Sequence, residues 1–180
     1  RGVTVRQLSA ADVAAYRAIW LEALNRTPEA FLLSPAEAAD IPEETLAARL
    51  DEGRIWGVFG QDALAGALAL RRLEPARLQH AAEIGPLFVA ESWQGRGLAS
   101  RLLTAVLDTA AREGILQVEL CVDETNRPAV TLYRKSGFSV LGRRPRSILL
   151  DGKARNDLLM IKALDGSAGF GDQIPGEWGE

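Results

Sequence analysis

Between Ala82 and Ala110 the period of the apolar residues changes. Ala82–Val89 is an apolar run of strand length, and Leu98, Leu102, Leu103, Val106, Leu107 and Ala110 then recur at helical spacing. Between the two lies Gln94-Gly95-Arg96-Gly97-Leu98-Ala99. A strand that runs into a helix through a glycine-rich turn confines the chain to a layered α/β fold. It also prepares a place for an anion. Glycines leave backbone N–H groups uncovered, and a helix N-terminus adds unpaired donors and partial positive charge. A phosphate-bearing ligand is expected there.

The rest of the chain extends this pattern. Val3–Leu8 alternates as a first strand. Ser9 precedes a helix whose apolar face holds Val13, Tyr16, Trp20, Leu21 and Leu24. Asn25-Arg26-Thr27-Pro28 ends it, and a loop follows with three apolar residues, Phe31-Leu32-Leu33. Pro42 opens a second helix through Leu50. Arg54–Phe59 and Leu64–Leu73 read as a hairpin around Gly60-Gln61-Asp62. Gly114 stands where the long helix should stop. Val118, Leu120 and Val122 alternate as a fifth strand. Asn126 caps a further helix with Pro128 in its first turn, and Gly137 ends it. Phe138–Leu149 and Leu158–Leu164 close the sheet as strands around Asp151-Gly152-Lys153. The order βααβββαβαββ predicts one α/β domain with a mixed sheet over residues 1–164. Residues 165–180 are rich in glycine and acids, lack periodicity, and are expected to form a flexible C-terminal tail.

Composition narrows the function classes. The 180 residues carry a net charge of −3, with 47% apolar and 25% charged positions. A nucleic-acid binder would show a basic domain or stripe. No apolar run reaches the roughly 18 residues of a membrane span. No signal peptide is visible, and the lone Cys121 fits a reducing compartment, so a cytoplasmic location is expected. No His/Cys cluster has the spacing of a metal site.

Three readings of the glycine turn compete. A dinucleotide fold wants G-x-G-x-x-G directly after a strand. Gly95, Gly97 and Ser100 nearly match it, with Glu119 at about the right distance. However, Ala90-Glu91-Ser92-Trp93 intervenes, and the turn lies in mid-chain. The P-loop pattern is absent. A plain turn before an ordinary helix is the third reading. Downstream, however, stands Asn126-Arg127-Pro128-Ala129-Val130-Thr131-Leu132-Tyr133-Arg134-Lys135-Ser136-Gly137-Phe138. The first motif resembles the Q/R-x-x-G-x-G/A acetyl-CoA signature of the GNAT N-acetyltransferase superfamily. The second is similar to that family's N-x-x-A-x-x-L-Y-x-K-x-G-F segment. The element order resembles the family from Val3 to about Leu164.

The resemblance implies a single-domain GNAT fold. It has a mixed, mostly antiparallel sheet of about seven strands, helices on both faces, and strands four and five splayed around the pantetheine arm of acetyl-CoA. It implies direct acetyl transfer from acetyl-CoA to a primary amine. The backbone edge of Leu87, Phe88 and Val89 would pair with the cofactor's amides, and the Val89 region would polarise the thioester carbonyl. The N–H groups of Gln94, Gly95, Arg96, Gly97, Leu98, Ala99 and Ser100 would hold the pyrophosphate. A side chain at Gly95 or Gly97 would crowd it. Tyr133 falls on the family's general-acid tyrosine, and Asn126 on a pantetheine contact. Glu83, eleven positions before Gln94, stands at the offset of a catalytic glutamate and is the candidate base, with Glu119 and Asp123 as lesser ones. His80 reads as a surface residue, Cys121 as a small strand residue, and Arg143-Arg144-Pro145-Arg146 as a solvated strand face. The acceptor is expected to be a small-molecule amine. The alternatives are a protein N-terminus or lysine, or a non-catalytic acyl-CoA-binding module. Homodimers are common in the family, though no residue here demands one.

Overall fold

The computed structural model describes residues 2–178. Its strands are β1 Val3–Gln7, β2 Ile55–Gly60, β3 Ala63–Arg72, β4 Ala81–Val89, β5 Gln117–Asp123, β6 Ser139–Leu150 and β7 Lys153–Ala163. The helices are α1 Val13–Arg26, α2 Pro35–Ala39, α3 Glu43–Asp51, α4 Leu98–Arg112 and α5 Arg127–Lys135. The seven strands form one sheet in the order β1-β2-β3-β4-β5-β7-β6. β4 and β5 run parallel, while β1/β2, β2/β3, β5/β7 and β6/β7 are antiparallel. This is the expected α/β architecture with a mixed, mostly antiparallel sheet.

The chain divides into two compact units, Arg1–Leu70 with Pro86–Val106, and Arg71–Gly85 with Leu107–Glu180. In the first unit, the β2–β3 turn places Gln61 and Asp62 at φ 51° and 68°. Both central residues are left-handed, as a two-residue hairpin turn requires. Leu24, Leu50, Val58 and Leu68 are fully buried there, each contributing roughly 1.5–3 kcal/mol of transfer free energy. The loop after α1 contains a short helix that periodicity does not reveal, α2. Pro35 sits at its start, and Ser34 and Glu37 form a reciprocal capping box. Five residues are too few for an apolar stripe to register. Pro42, expected inside the first turn of α3, is instead its N-cap.

In the second unit, Val118, Val130, Val140, Leu158 and Met160 form the buried centre. Gly114 and Gly137 have φ 83° and 98° and end α4 and α5 as left-handed caps. β4 pairs with β5 over Ala81–Glu83 against Gln117–Glu119, and no further pairing is recorded among the described residues. The segment expected to hang loose is tied at two positions. Asp172 accepts from Arg134 at 2.9 and 3.0 Å and from the Val140 N–H at 2.8 Å, and Gln173 N–H donates to Val140 O at 2.9 Å. Gly179 and Glu180 lie outside the described residues. Among the described residues, no helix is long and apolar enough to cross a membrane.

Candidate active site

In the first unit the chemistry centres on the end of β4. The Ala90 N–H donates to Ala65 O on β3 at 2.7 Å. The Phe88 carbonyl also faces β3, lying 2.6 Å from where a Cβ on Gly66 would stand. Strand alternation therefore turns the N–H and C=O of Val89 to the opposite edge. Of the three residues expected to offer that edge, Phe88 turns its carbonyl the other way. The Val89 carbonyl accepts from Arg26 Nη2 at 3.0 Å and from Gln94 Nε2 at 3.1 Å. Arg26 Nη1 also pairs with Glu22 Oε1 at 2.6 Å, and the same oxygen accepts the Glu91 N–H at 2.7 Å. The last turns of α1 thus clamp the strand end. With the carbonyl taken, the N–H is the group Val89 can offer to a ligand. Sequence reasoning missed this clamp. The Glu22/Arg26 spacing signals a helical i,i+4 pair and says nothing of a distant carbonyl.

Residues 91–93 form a 3-10 turn whose Trp93 ring lies on Gly60 of β2, where no side chain would fit. The Arg96 guanidinium stacks 4.7 Å above that ring. Gly95 and Gly97 have φ 77° and 74°, which other L-residues adopt at a cost of roughly 1–2 kcal/mol. Apart from its own chain neighbours, no atom of the described residues lies within 4 Å of the place where a Cβ on either glycine would sit. The protein needs glycine there for conformation, and the space outside the loop is open to a ligand, which fits a phosphate cradle. One expected donor drops out, because the Gln94 N–H already bonds Glu91 O at 3.2 Å. Gln94 contributes its side chain to the Val89 carbonyl instead. Leu98, buried at 4% exposure, anchors the start of α4.

The same unit holds an apolar cavity of about 220 Å³, walled by Tyr16, Trp20, Phe31, Leu32, Leu33 and Phe88 among others, with no charged residue in its lining. Tyr16 stacks on Trp20 at 5.7 Å, and Phe31 meets Phe88 edge-on at 5.7 Å. Burial pushes the Tyr16 phenol well above its ordinary value.

In the second unit, Asn126 caps α5, its Oδ1 accepting the Ala129 N–H at 3.3 Å. Tyr133 is buried on α5 with its ring edge-on to Phe138 at 5.7 Å. Burial raises its pKa, so the phenol stays protonated through the neutral range. Glu83 is half-exposed and paired with Arg71, Oε2 to Nη2 3.1 Å, in register with Glu119 on β5. Asp123 has a different task. Its carboxylate is 1% exposed, accepts from Arg155 at 2.9 and 3.2 Å, and receives the N–H and Oγ1 of Thr125. Burial acts to raise its pKa, but those hydrogen bonds outweigh it and hold the group below the usual carboxylate range. A carboxylate so committed is a poor base and a good structural pin. Cys121 has its sulfur 3.7 Å from Arg144 Nη1, and burial pushes the thiol up, away from nucleophilic character. Arg143 pairs with Glu124 at 2.8 Å, and His80 is exposed.

The chain is similar to known proteins in sequence and in fold. The model of the acetyltransferase (GNAT) family matches residues 15–138. A mycothiol acetyltransferase from Brachybacterium faecium is 30% identical over 132 residues, covering 73% of this chain and 39% of that protein. A spermidine N(1)-acetyltransferase from Escherichia coli is 32% identical over 75 residues, 41% of this chain and 40% of that one. The chain thus spans about two fifths of the length of these curated relatives. Among solved structures, YncA from Salmonella typhimurium with its cofactor acetyl-CoA has a TM-score of 0.80 at 19% identity, covering 97% of this chain and all of that one (100%). With the glycine cradle, the α5 motif and the sheet order agreeing with a family match over most of its length, the chain belongs to the GNAT family of acetyltransferases.

Proposed function

We propose that this protein transfers an acetyl group from acetyl-CoA directly to a primary amine of a small molecule. The observation that carries this reading is the Gly95/Gly97 cradle at the start of α4, set just beyond a strand end whose Val89 carbonyl is occupied and whose N–H is turned to the free edge. Acetyl-CoA supplies the thioester carbonyl that the amine attacks. The Val89 N–H donates to that carbonyl as charge builds on its oxygen. The N–H groups from Gly95 to Ser100 hold the pyrophosphate, and Arg96 adds a cation on its outer side. Asn126, with Oδ1 engaged in its helix, offers Nδ2 to the pantetheine arm. As the carbon–sulfur bond breaks, Tyr133 gives its proton to the departing sulfur and is reprotonated by the proton that the newly bonded nitrogen still carries. An amine with a pKa near 10.4 must first lose a proton; Glu83 accepts it, directly or through water. The names of the mycothiol and spermidine relatives favour a small acceptor over a protein one.

A screen of amines, amino acids and peptides with CoA-release detection tests the reading. Steady release with a small amine is expected. Release only with peptides would move the protein to the N-terminal or lysine class. Gly97→Val should weaken acetyl-CoA binding at least tenfold by calorimetry; an unchanged affinity would refute the cradle. Glu83→Gln should lower kcat at least roughly tenfold with acetyl-CoA affinity unchanged. An unchanged kcat would assign the base to another group.

A further inference from the structure

We propose that the aromatic cavity of the first unit selects the acceptor, and that the acceptor is a primary amine joined by a short linker to an uncharged, ring-sized apolar group. This rests on the acetyl-transfer reading and adds the substrate class. The cavity measures about 220 Å³, and an apolar cavity of roughly 150 Å³ is enough for benzene. Its lining holds no Asp, Glu, Lys or Arg. A second cation on the acceptor would find no counter-charge in that lining and would not match its apolar surface, and a polyamine is disfavoured for that reason.

Phe88 links the cavity to the chemistry. Its ring is a cavity wall, and the next residue along β4 is Val89, whose N–H is turned to the strand's free edge. Adjacent Cα atoms are about 3.8 Å apart. A ring seated against Phe88 therefore leaves its amine within a short linker of the Val89 N–H.

The mouth of the cavity is built rather than left over. Leu32 is 89% exposed and also lines the cavity, so it stands at the opening to solvent. Its loop is fixed on both sides. Phe31 is buried against Phe88, and Ser34 and Glu37 close the capping box of α2 through hydrogen bonds of 3.1 and 3.0 Å. A large apolar side chain held in water beside an apolar cavity is preorganised to cover an apolar ligand.

The test compares ethylamine, 2-phenylethylamine and spermidine as acceptors at saturating acetyl-CoA. For 2-phenylethylamine, kcat/KM should exceed that of ethylamine by at least roughly tenfold, with spermidine below it. Leu32→Asp, a change at an exposed position, should narrow the ratio of 2-phenylethylamine to ethylamine severalfold. Equal kcat/KM for the three amines, with CoA release intact, would overturn the proposal. An equilibrium measurement keeps the two readings apart. Trp20 lies in the wall, so 2-phenylethylamine alone should give a saturable change in tryptophan fluorescence that ethylamine does not give and Trp20→Phe abolishes. If no amine releases CoA, the transfer reading fails and this titration decides the cavity. A flat Trp20 response overturns it.

Discussion

At the scale of single residues, the decisive contrast is between two buried polar groups, Tyr133 and Asp123. Tyr133 is buried without a charge partner, so burial raises its pKa and keeps it neutral. A phenol in that state keeps its proton through the neutral range and gives it up only to a base that develops within hydrogen-bond reach. Tyr133→Phe keeps the ring and its contact with Phe138, so the melting temperature and acetyl-CoA affinity should hold while kcat falls by about 10²-fold. An unchanged kcat in a chemistry-limited assay would remove Tyr133 from the reaction. Asp123 is buried with its partners, and its pKa is lowered from 3.8. A lowered folded-state value means the carboxylate stabilises the protein fully above the unfolded-state pKa, and the contribution is lost as pH falls through the folded value. Urea unfolding of the native protein should therefore show lower stability at roughly pH 3 than near neutrality. Asp123→Asn should lower the neutral value by about 2 kcal/mol and flatten the acid slope. The loss is below that of a fully buried pair because Arg155 is 30% exposed. A variant with the native acid slope would show that Asp123 is not the titrating pin.

At the scale of elements, two helix ends carry tasks beyond capping. The C-terminal turn of α1 reaches the β4 carbonyl of Val89 through Arg26, aided by the paired Glu22. Arg26→Met should lower kcat roughly tenfold with little change in acetyl-CoA affinity, since the strand end loses its charged donor and keeps only Gln94. Arg26→Lys should recover part of the loss, which a purely structural role in α1 would not require. The N-terminus of α5 separates two tasks of Asn126. Asn126→Ala removes the cap and should cost about 1 kcal/mol. Asn126→Asp keeps a capping oxygen but removes the amide N–H donors, so stability should persist while KM for acetyl-CoA rises. A KM that stays put in the Asp variant would confine Asn126 to capping. The elements themselves were largely legible. Val118–Val122 and the α4 stripe declare their periods because one face of each is buried. α2 was not legible, since a helix of five residues owes its existence to its caps and surroundings.

At the scale of the whole molecule, the C-terminal segment makes contacts that its composition does not announce. The Gly- and acid-rich residues from Asp165 on have no period, and Asp172 is held by Arg134 and by the Val140 N–H. Asp172→Ala should cost about 1–2 kcal/mol, because a bidentate, two-thirds-covered pair and a strand-start hydrogen bond are lost together. It should also speed hydrogen exchange at the Val140 amide. Native exchange in the variant would show that the tie is not held in solution.

The sequence by itself determined the order of the strands and the longer helices, the left-handed glycine turn before α4 and the α5 motif. Those features are local: a period, a left-handed turn or a cap is dictated by neighbours along the chain. Only the tertiary structure decided that Arg26 reaches the Val89 carbonyl, that Arg155 engages the buried Asp123 carboxylate, and that Phe31 and Phe88 share one cavity with no charged lining. Each of these brings together residues tens of positions apart. Their chemistry comes from which groups are desolvated together, and one-dimensional spacing does not encode that.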